Sequence, residues 1–312
     1  MKRRRIRMSE ITIVSGFFDI GRGDMTGFQR SNQKYVEYFR FWARMRNKLV
    51  VYTDKATAEQ VLKIRDSFHL KDRTRIIIID DVYKLEPELF KQIRAVTDNK
   101  EAVNFRTCPQ NTESWNPQYN YVTCLKPYFV AAAVKNGYVD GMVAWVDFGY
   151  NHGGQTCVNA EEFDFLWCYD FTPKIHLFAM EPIDDMPIFE IVRTMRAYIA
   201  GAVMVAPASL WQEFADLYKQ SVLHLTHCGF ADDDQTVSVM AYRENPDLFE
   251  IHPVDDWFIA LKEVGGEHLT RASKIQYKES KKQAQALWQV GNYTQALKWY
   301  GKYAREKLQT KR

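Results

Sequence analysis

The sequence predicts an α/β fold built on a doubly wound sheet, and three observations carry that reading. EITIVSGFF, KLVVYTD, TRIIIIDD and MVAWVDFG are short, apolar, β-branched runs bounded by turn or charged residues, the pattern of buried parallel strands. Helical patterns stand between them. Strand and helix therefore alternate, which calls for a sheet covered on both faces.

Taken in order, the first run stops at Asp19, and GFQRSNQKYVEYFRFWARM reads as the first helix. KLVVYTD is the second strand, and TAEQVLKIRDSFH a helix with its N-cap at Thr57. After TRIIIIDD, the polar stretch Val103 to Asn120, with Trp115, reads as a long loop of the functional kind. YVTCLKPYFVAAAVKNG reads as one helix closed by glycine, and MVAWVDFG as a strand that runs out into glycine, asparagine and histidine. Beyond Gly154 come shorter strands, DFLWCYD, KIHLFAM and AYIAGAVMVAP, with one clear helix, ASLWQEFADLYKQSVLHL. From Ser273 the chain reads as helices only, and A–LW–GNY–AL–Y resembles a single tetratricopeptide pair. One such pair cannot stand alone, so it must pack on the main domain or on a partner protein. The expected division is a basic arm at 1–8, an α/β domain at 9–270 and a helical hairpin at 271–312.

Composition narrows the function classes. A formal charge of +3 with both signs spread along the 312 residues argues against nucleic acid as the partner. The excess is local: MKRRRIR is a solvated arm or a weak electrostatic tether to an anionic membrane face. It does not open a signal peptide, because the next apolar run is short and ends in Asp19. No apolar run approaches a membrane span. Five cysteines, none in CxxC spacing, fit a reducing compartment better than a disulfide scaffold or a zinc site. The expected location is cytoplasmic, or peripheral to the cytoplasmic face of the membrane.

Chemistry gathers at a few places. Ligands of open α/β sheets collect beyond the carboxyl ends of the strands, and Asp147 stands where a buried strand meets a glycine-rich loop. Its carboxylate either holds a divalent cation against a diphosphate or caps a turn. GFADDDQTVSV places Asp232, Asp233 and Asp234 before a helical segment. One acid suffices to cap a helix, and adjacent carboxylates repel, so at least one of them serves metal binding, hydroxyl binding or general-base work. His252 follows a strand-like run in DLFEIHPVDDW and reads as a structural residue or a ligand.

In this order the pieces resemble the GT-A glycosyltransferase arrangement. ITIVSGFFDIGRG, YNYVTCLKPYFVAAAV, AWVDFGYNHGG and DDDQTVSV look like the HtrL/YibB family of bacterial proteins, seen beside lipopolysaccharide and other surface-glycan genes, over roughly residues 9–260. The resemblance implies a GT-A-like (Rossmann-like) mixed sheet flanked by helices, followed by the tetratricopeptide-like C-terminal hairpin. It also implies transfer of a sugar from a nucleotide-sugar donor to a glycan or lipid-linked acceptor, with Mn2+ or Mg2+. Phe18, Asp19 and Arg22 fall where a nucleotide and its diphosphate lie; Thr53 and Asp54 face base or ribose; Lys126 is a point charge for phosphate; Asp147 binds metal. Asp233 or Asp234 is the catalytic base, and Gln235 and Gly201 face the acceptor, although Gly201 has an equal reading as packing. Trp115, Tyr119, Tyr121 and Tyr150 are either sugar platforms or core. The chain departs from the DxD pattern at Gly149. Asn151 or His152 substitutes, or His252 with one of the aspartates completes the shell, or the metal is dispensable. The alternative function is a non-catalytic protein that binds a sugar nucleotide, or a partner through its C-terminal helices.

Overall fold

The computed structural model describes residues 10–24, 30–272, 280, 281, 283–285, 287, 288 and 292–309. The basic arm lies outside them. Seven strands form one mixed sheet: β1 (Thr12–Phe17), β2 (Leu49–Thr53), β3 (Thr74–Ile78), β4 (Met142–Val146), β5 (Ile175–Ala179), β6 (Val203–Pro207) and β7 (Phe249–Pro253). Their order is β3-β2-β1-β4-β6-β5-β7. The first four runs read as strands therefore pair side by side, all parallel. Among the described strands, β6 alone runs against its neighbours β4 and β5, while β5 and β7 are parallel. The mixed α/β architecture is thus the one predicted, with the first strand, the motif strand and the inner strand lying consecutively.

Alternating side chains divide between the two faces, as strand geometry demands. Val14, Val50, Tyr52 and Trp145 pack with Phe129, Phe214 and Tyr218, from α4 (Lys126–Lys135) and α5 (Trp211–His227). Ile13, Val51, Ala144 and Val146 pack on the other side with Phe39, Trp42 and Ile64, from α1 (Asn32–Trp42) and α2 (Lys55–Ser67). Burying one side chain such as Phe39 is worth about 1.5–3 kcal/mol, so two apolar faces lock the sheet between helices.

Several boundaries differ from expectation for local reasons. YVTCLKPYFVAAAVKNG breaks at Leu125 into α3 (Pro117–Cys124) and α4, because Pro127 lacks an amide proton and suits only a first turn. The stretch expected as a loop holds short helices at Thr112–Trp115 and from Pro117, the latter capped by Asn116, which accepts from the Tyr119 amide at 2.8 Å. The cap of α2 is Asp54, whose carboxylate accepts from the Thr57 amide at 2.8 Å, so Thr57 is the third helical residue. DFLWCYD is no strand; it makes a single bridge, Cys168 to Glu10. AYIAGAVMVAP is divided, with Ile199 bridging Ala179 and only Val203–Pro207 joining the sheet as β6. At the C-terminus, Tyr293–Gln309 is helical, as the pattern NYTQALKWYGKYAREKL predicts. No helix among the described residues is long and apolar enough to cross a membrane.

Candidate active site

The antiparallel β6 decides the shape of the site. Because it runs against β4, its start lies beside the end of β4: Val146 is paired with Val203, and the Asp147 amide donates to the Ala202 carbonyl at 2.9 Å. Gly201 and Asp147 are thereby brought together. They open into a cleft of about 600 Å³ whose lining includes Phe18, Arg22, Lys126, His152, Asp234 and Gln235.

Lys126 organises its floor. Its ammonium nitrogen lies 2.9 Å from Asp147 Oδ1, 2.8 Å from Asp234 Oδ2 and 2.9 Å from the Gly201 carbonyl. Three acceptors meet its three donors, in a side chain that is 7% exposed. Burial works against its charge, but Asp147 and Asp234 outweigh burial and raise its pKa. Lys126 is therefore spent on the protein and offers no proton to a phosphate, contrary to the role the resemblance implies. Asp147 Oδ1 also accepts from the Trp145 indole at 2.7 Å.

Gly201 owes its identity to the same cluster. A Cβ there would stand 1.7 Å from Asp234 Oδ2, so the glycine makes room for a carboxylate, which is the packing reading of that residue.

The three consecutive aspartates divide the work among them. Asp232 forms a buried ion pair with Arg106 at 3.2 Å and accepts from the Thr236 hydroxyl at 2.9 Å. Asp233 caps α6 (Asp234–Glu244), accepting from the Gln235 amide at 3.1 Å. Burial and its neighbours Asp234 and Asp232 push its carboxyl well above the usual range, and it does not line the cleft. Asp234 does, and burial raises it while Lys126 pulls it back. Asp234, rather than Asp233, is thus the acid of this segment that faces the cleft.

Other predicted residues fall elsewhere. Thr53 is buried and donates to the Phe17 carbonyl at 2.7 Å; Asp54 is the α2 cap; neither lines the cleft. Asp19 is turned to its own loop, accepting from Asn32 Nδ2 at 2.7 Å and the Gly21 amide at 2.8 Å. His252 lies away from Asp147, against His176 at 2.9 Å. Of the four aromatics, Tyr119 lines the cleft, whereas Trp115, Tyr121 and Tyr150 do not. Phe18 is buried and stacks on Phe129 at 5.5 Å.

The metal reading meets a local obstacle. A Cβ at Gly149 would come within 3.1 Å of the Tyr35 ring, so the ring must give by a few tenths of an ångström before a second acid of DxD fits there. Asn151 does not take its place: it is buried, accepting from the amides of Thr156 and Cys157, both at 2.9 Å. His152 lines the cleft, but its Nε2 faces Arg30 at 3.3 Å, and burial with that cation depresses its pKa to about 4. Asp147 is the one carboxylate the motif itself provides, which suits a magnesium-type ion that takes its other ligands from phosphate and water.

Arg22 carries the clearest unmet demand. Its guanidinium lies 5.1 Å from the centre of the Tyr119 ring, and its buried Nε has no hydrogen-bond partner among the described residues. A buried donor left unpaired costs about 1–3 kcal/mol, and this one lines the cleft. Arg30 and Glu113 line it as well, and sequence reasoning did not single them out. Arg30 shares the loop after β1 with Arg22, and Glu113 sits in the polar stretch expected to be functional; burial pushes its carboxyl up. Their place in those two loops was the available signal.

Residues 9–264 match a family model described as "Bacterial protein of unknown function (HtrL_YibB)". The chain is 31% identical over 260 residues to Protein HtrL of Escherichia coli (strain K12), covering 78% of this chain and 88% of that one. Two solved glycosyltransferase structures resemble it distantly. Mouse xyloside xylosyltransferase 1 in its apo form aligns with a TM-score of 0.41 and 15% identity, over 78% of this chain and 85% of that one. PaToxG glycosyltransferase aligns at 0.33 and 12%, over 77% and 72%. Likeness at that level assigns neither a site nor a substrate.

Proposed function

The chain belongs to the HtrL_YibB family, and from that premise and the cleft we propose a glycosyltransferase that moves a sugar from a nucleotide-sugar donor to a surface-glycan acceptor. One observation carries the reading: the buried Arg22 Nε, without a hydrogen-bond partner among the described residues, in a cleft at the carboxyl ends of parallel strands, where α/β sheets bind ligands. A diphosphate satisfies that donor by a charge-assisted bond. Arg30, in the same lining, adds positive charge for it.

In the reaction, the acceptor hydroxyl attacks the anomeric carbon, the carbon–oxygen bond to the diphosphate breaks, and the nucleoside diphosphate leaves with the electron pair. The acceptor proton passes to a carboxylate, for which Asp234 is placed in the lining. Lys126 holds Asp234 in position and opposes its neutralisation. Arg22 stabilises the charge that develops on the leaving group, which is where fixed donors act most strongly. A bound Mg2+ or Mn2+ would be held by Asp147 and would neutralise further phosphate charge.

A thermal-shift screen over nucleotide sugars, with and without Mn2+, tests the donor class, since a ligand of the native state raises apparent stability as RT ln(1 + [L]/Kd). No stabilisation by any UDP-, GDP-, CMP- or dTDP-sugar would leave the binding-protein alternative. Given a donor, Asp234→Asn should lower the transfer rate far more than donor affinity. Equal rates in variant and wild type would remove Asp234 from the chemistry.

A further inference from the structure

A second polar cluster lies outside the cleft, where the edge strand β7 meets β5. In their parallel register His176 stands opposite Glu250 and Phe178 opposite His252, so alternation puts His176, Glu250 and His252 on one face. None of the three lines the cleft. His176 is fully buried, and the side chains of His252 and Glu250 are 21% and 39% exposed.

Their hydrogen bonds fix which atoms are available. His176 Nε2 lies 2.9 Å from the Thr172 carbonyl, which can only accept, so Nε2 carries the proton and Nδ1 presents a lone pair. That Nδ1 is 2.9 Å from His252 Nε2. Glu250 Oε2 accepts from the Thr172 hydroxyl, while its Oε1 stands 3.9 Å from the same His252 nitrogen. One ligand atom from each residue lies within 4.8 Å of the others.

We propose that His176, His252 and Glu250 form a site for a divalent transition-metal ion of the zinc type, distinct from the cleft and independent of the transferase reading. Two imidazoles and a carboxylate suit zinc and its first-row neighbours, whereas magnesium and calcium favour oxygen alone. The spacing fits. Two nitrogens, each about 2.05 Å from zinc, stand about 3.3 Å apart in tetrahedral coordination and about 2.9 Å apart at right angles. The nitrogen separation is thus within a few tenths of an ångström of that span, and the two rings, which face each other nitrogen to nitrogen with centres 5.1 Å apart, must each turn by about 35° to converge on one ion, with His252 presenting its lone pair at Nε2. Thr172 supplies the outer shell for two ligands at once, its carbonyl orienting His176 and its hydroxyl holding Glu250, an arrangement that fixes ligand geometry in metal sites. Partial exposure of Glu250 and His252 leaves a coordination position for water. The ion clasps the edge strand to the sheet, just before the chain reaches Trp257 and Phe258 in the cleft wall.

The test uses the full chain stripped with a chelator, then titrated with Zn2+ by calorimetry and melting temperature, with Co2+ as a spectroscopic probe. The wild type should bind one Zn2+ at this site and melt higher, and Co2+ should give a visible absorption band. His252→Ala and Glu250→Gln, both at partly exposed positions, should each weaken Zn2+ by about tenfold or more. Asp147→Asn should leave Zn2+ affinity unchanged, which separates this site from any ion in the cleft. Absence of Zn2+ binding by the wild type overturns the proposal. So does affinity that survives His252→Ala, including affinity lost instead on replacing His224 and His227, which share the last turn of α5.

Discussion

Arg65 and Arg22 are both arginines with buried nitrogen, at opposite ends of the same sheet. Arg65 sits near the starts of β2 and β3, 1% exposed. It donates to the carbonyls of Ala43, Met45 and Asn47 at 2.8, 2.6 and 2.9 Å and to the Thr74 hydroxyl at 2.8 Å. Burial and Arg73 lower its pKa to about 10, which leaves it charged at neutral pH. Arg22, beyond the end of β1, has a buried Nε with no partner among the described residues. The four hydrogen bonds of Arg65 are all made inside the chain, whereas Arg22 Nε, in the cleft lining, has no partner among the described residues. The difference separates a cation that holds the fold from one that, in the proposed function, meets an anion.

The strongest challenge to that contrast is Arg65→Met, which strips donors from three buried carbonyls. A loss of roughly 3 kcal/mol or more is expected, read by urea unfolding, with donor affinity of the folded protein unchanged. If Arg65→Met unfolds at the wild-type midpoint, the closed end is not what we describe.

Arg22→Ala should do the opposite. Loss of a charge-assisted bond worth about 1.5–3 kcal/mol weakens nucleoside diphosphate binding about 10- to 150-fold, while stability does not fall, since the variant no longer buries an unpaired donor. Unchanged diphosphate affinity in a calorimetric titration would place Arg22 with the structural residues.

Asp54 sharpens the boundary, because it lies at the open end of β2 yet is satisfied as a cap. Asp54→Ala should cost about 0.5–2 kcal/mol of stability and leave donor affinity alone; any loss of donor binding would return it to the site.

The smallest effect near neutral pH concerns His152. Its folded pKa, about 4, lies below the ordinary 6.5, so between those values the unfolded chain binds more protons and stability rises with pH. This contribution is full above pH 6.5 and falls as pH drops toward 4. His152→Ala should flatten that part of the pH–stability curve; an unaltered slope would mean that the imidazole is not held neutral by burial and Arg30.

The same contrast explains what could be read in the sequence. Strand runs such as TRIIIIDD and MVAWVDFG were legible because burial on both faces enforces an apolar composition, and the acidic helix start at Asp233 because capping is a local act. Roles set across the fold were not. Lys126 looked free until Gly201, Asp147 and Asp234, distant in sequence, closed around it. Asp54 looked like a ligand because a strand-end acid and a helix cap are the same residue type in the same place. The triple aspartate could be divided only once Arg106, some 126 residues away, was seen beside Asp232.

Gly149 and Tyr35 share one small space. With the Tyr35 ring 3.1 Å from where a Cβ would stand, a carboxylate at position 149 asks that ring to give by a few tenths of an ångström. Neighbouring positions that share space are coupled, so their effects do not add. An engineer adding a second acid to this loop would therefore change positions 149 and 35 together, because a smaller side chain at 35 removes the demand that the acid makes.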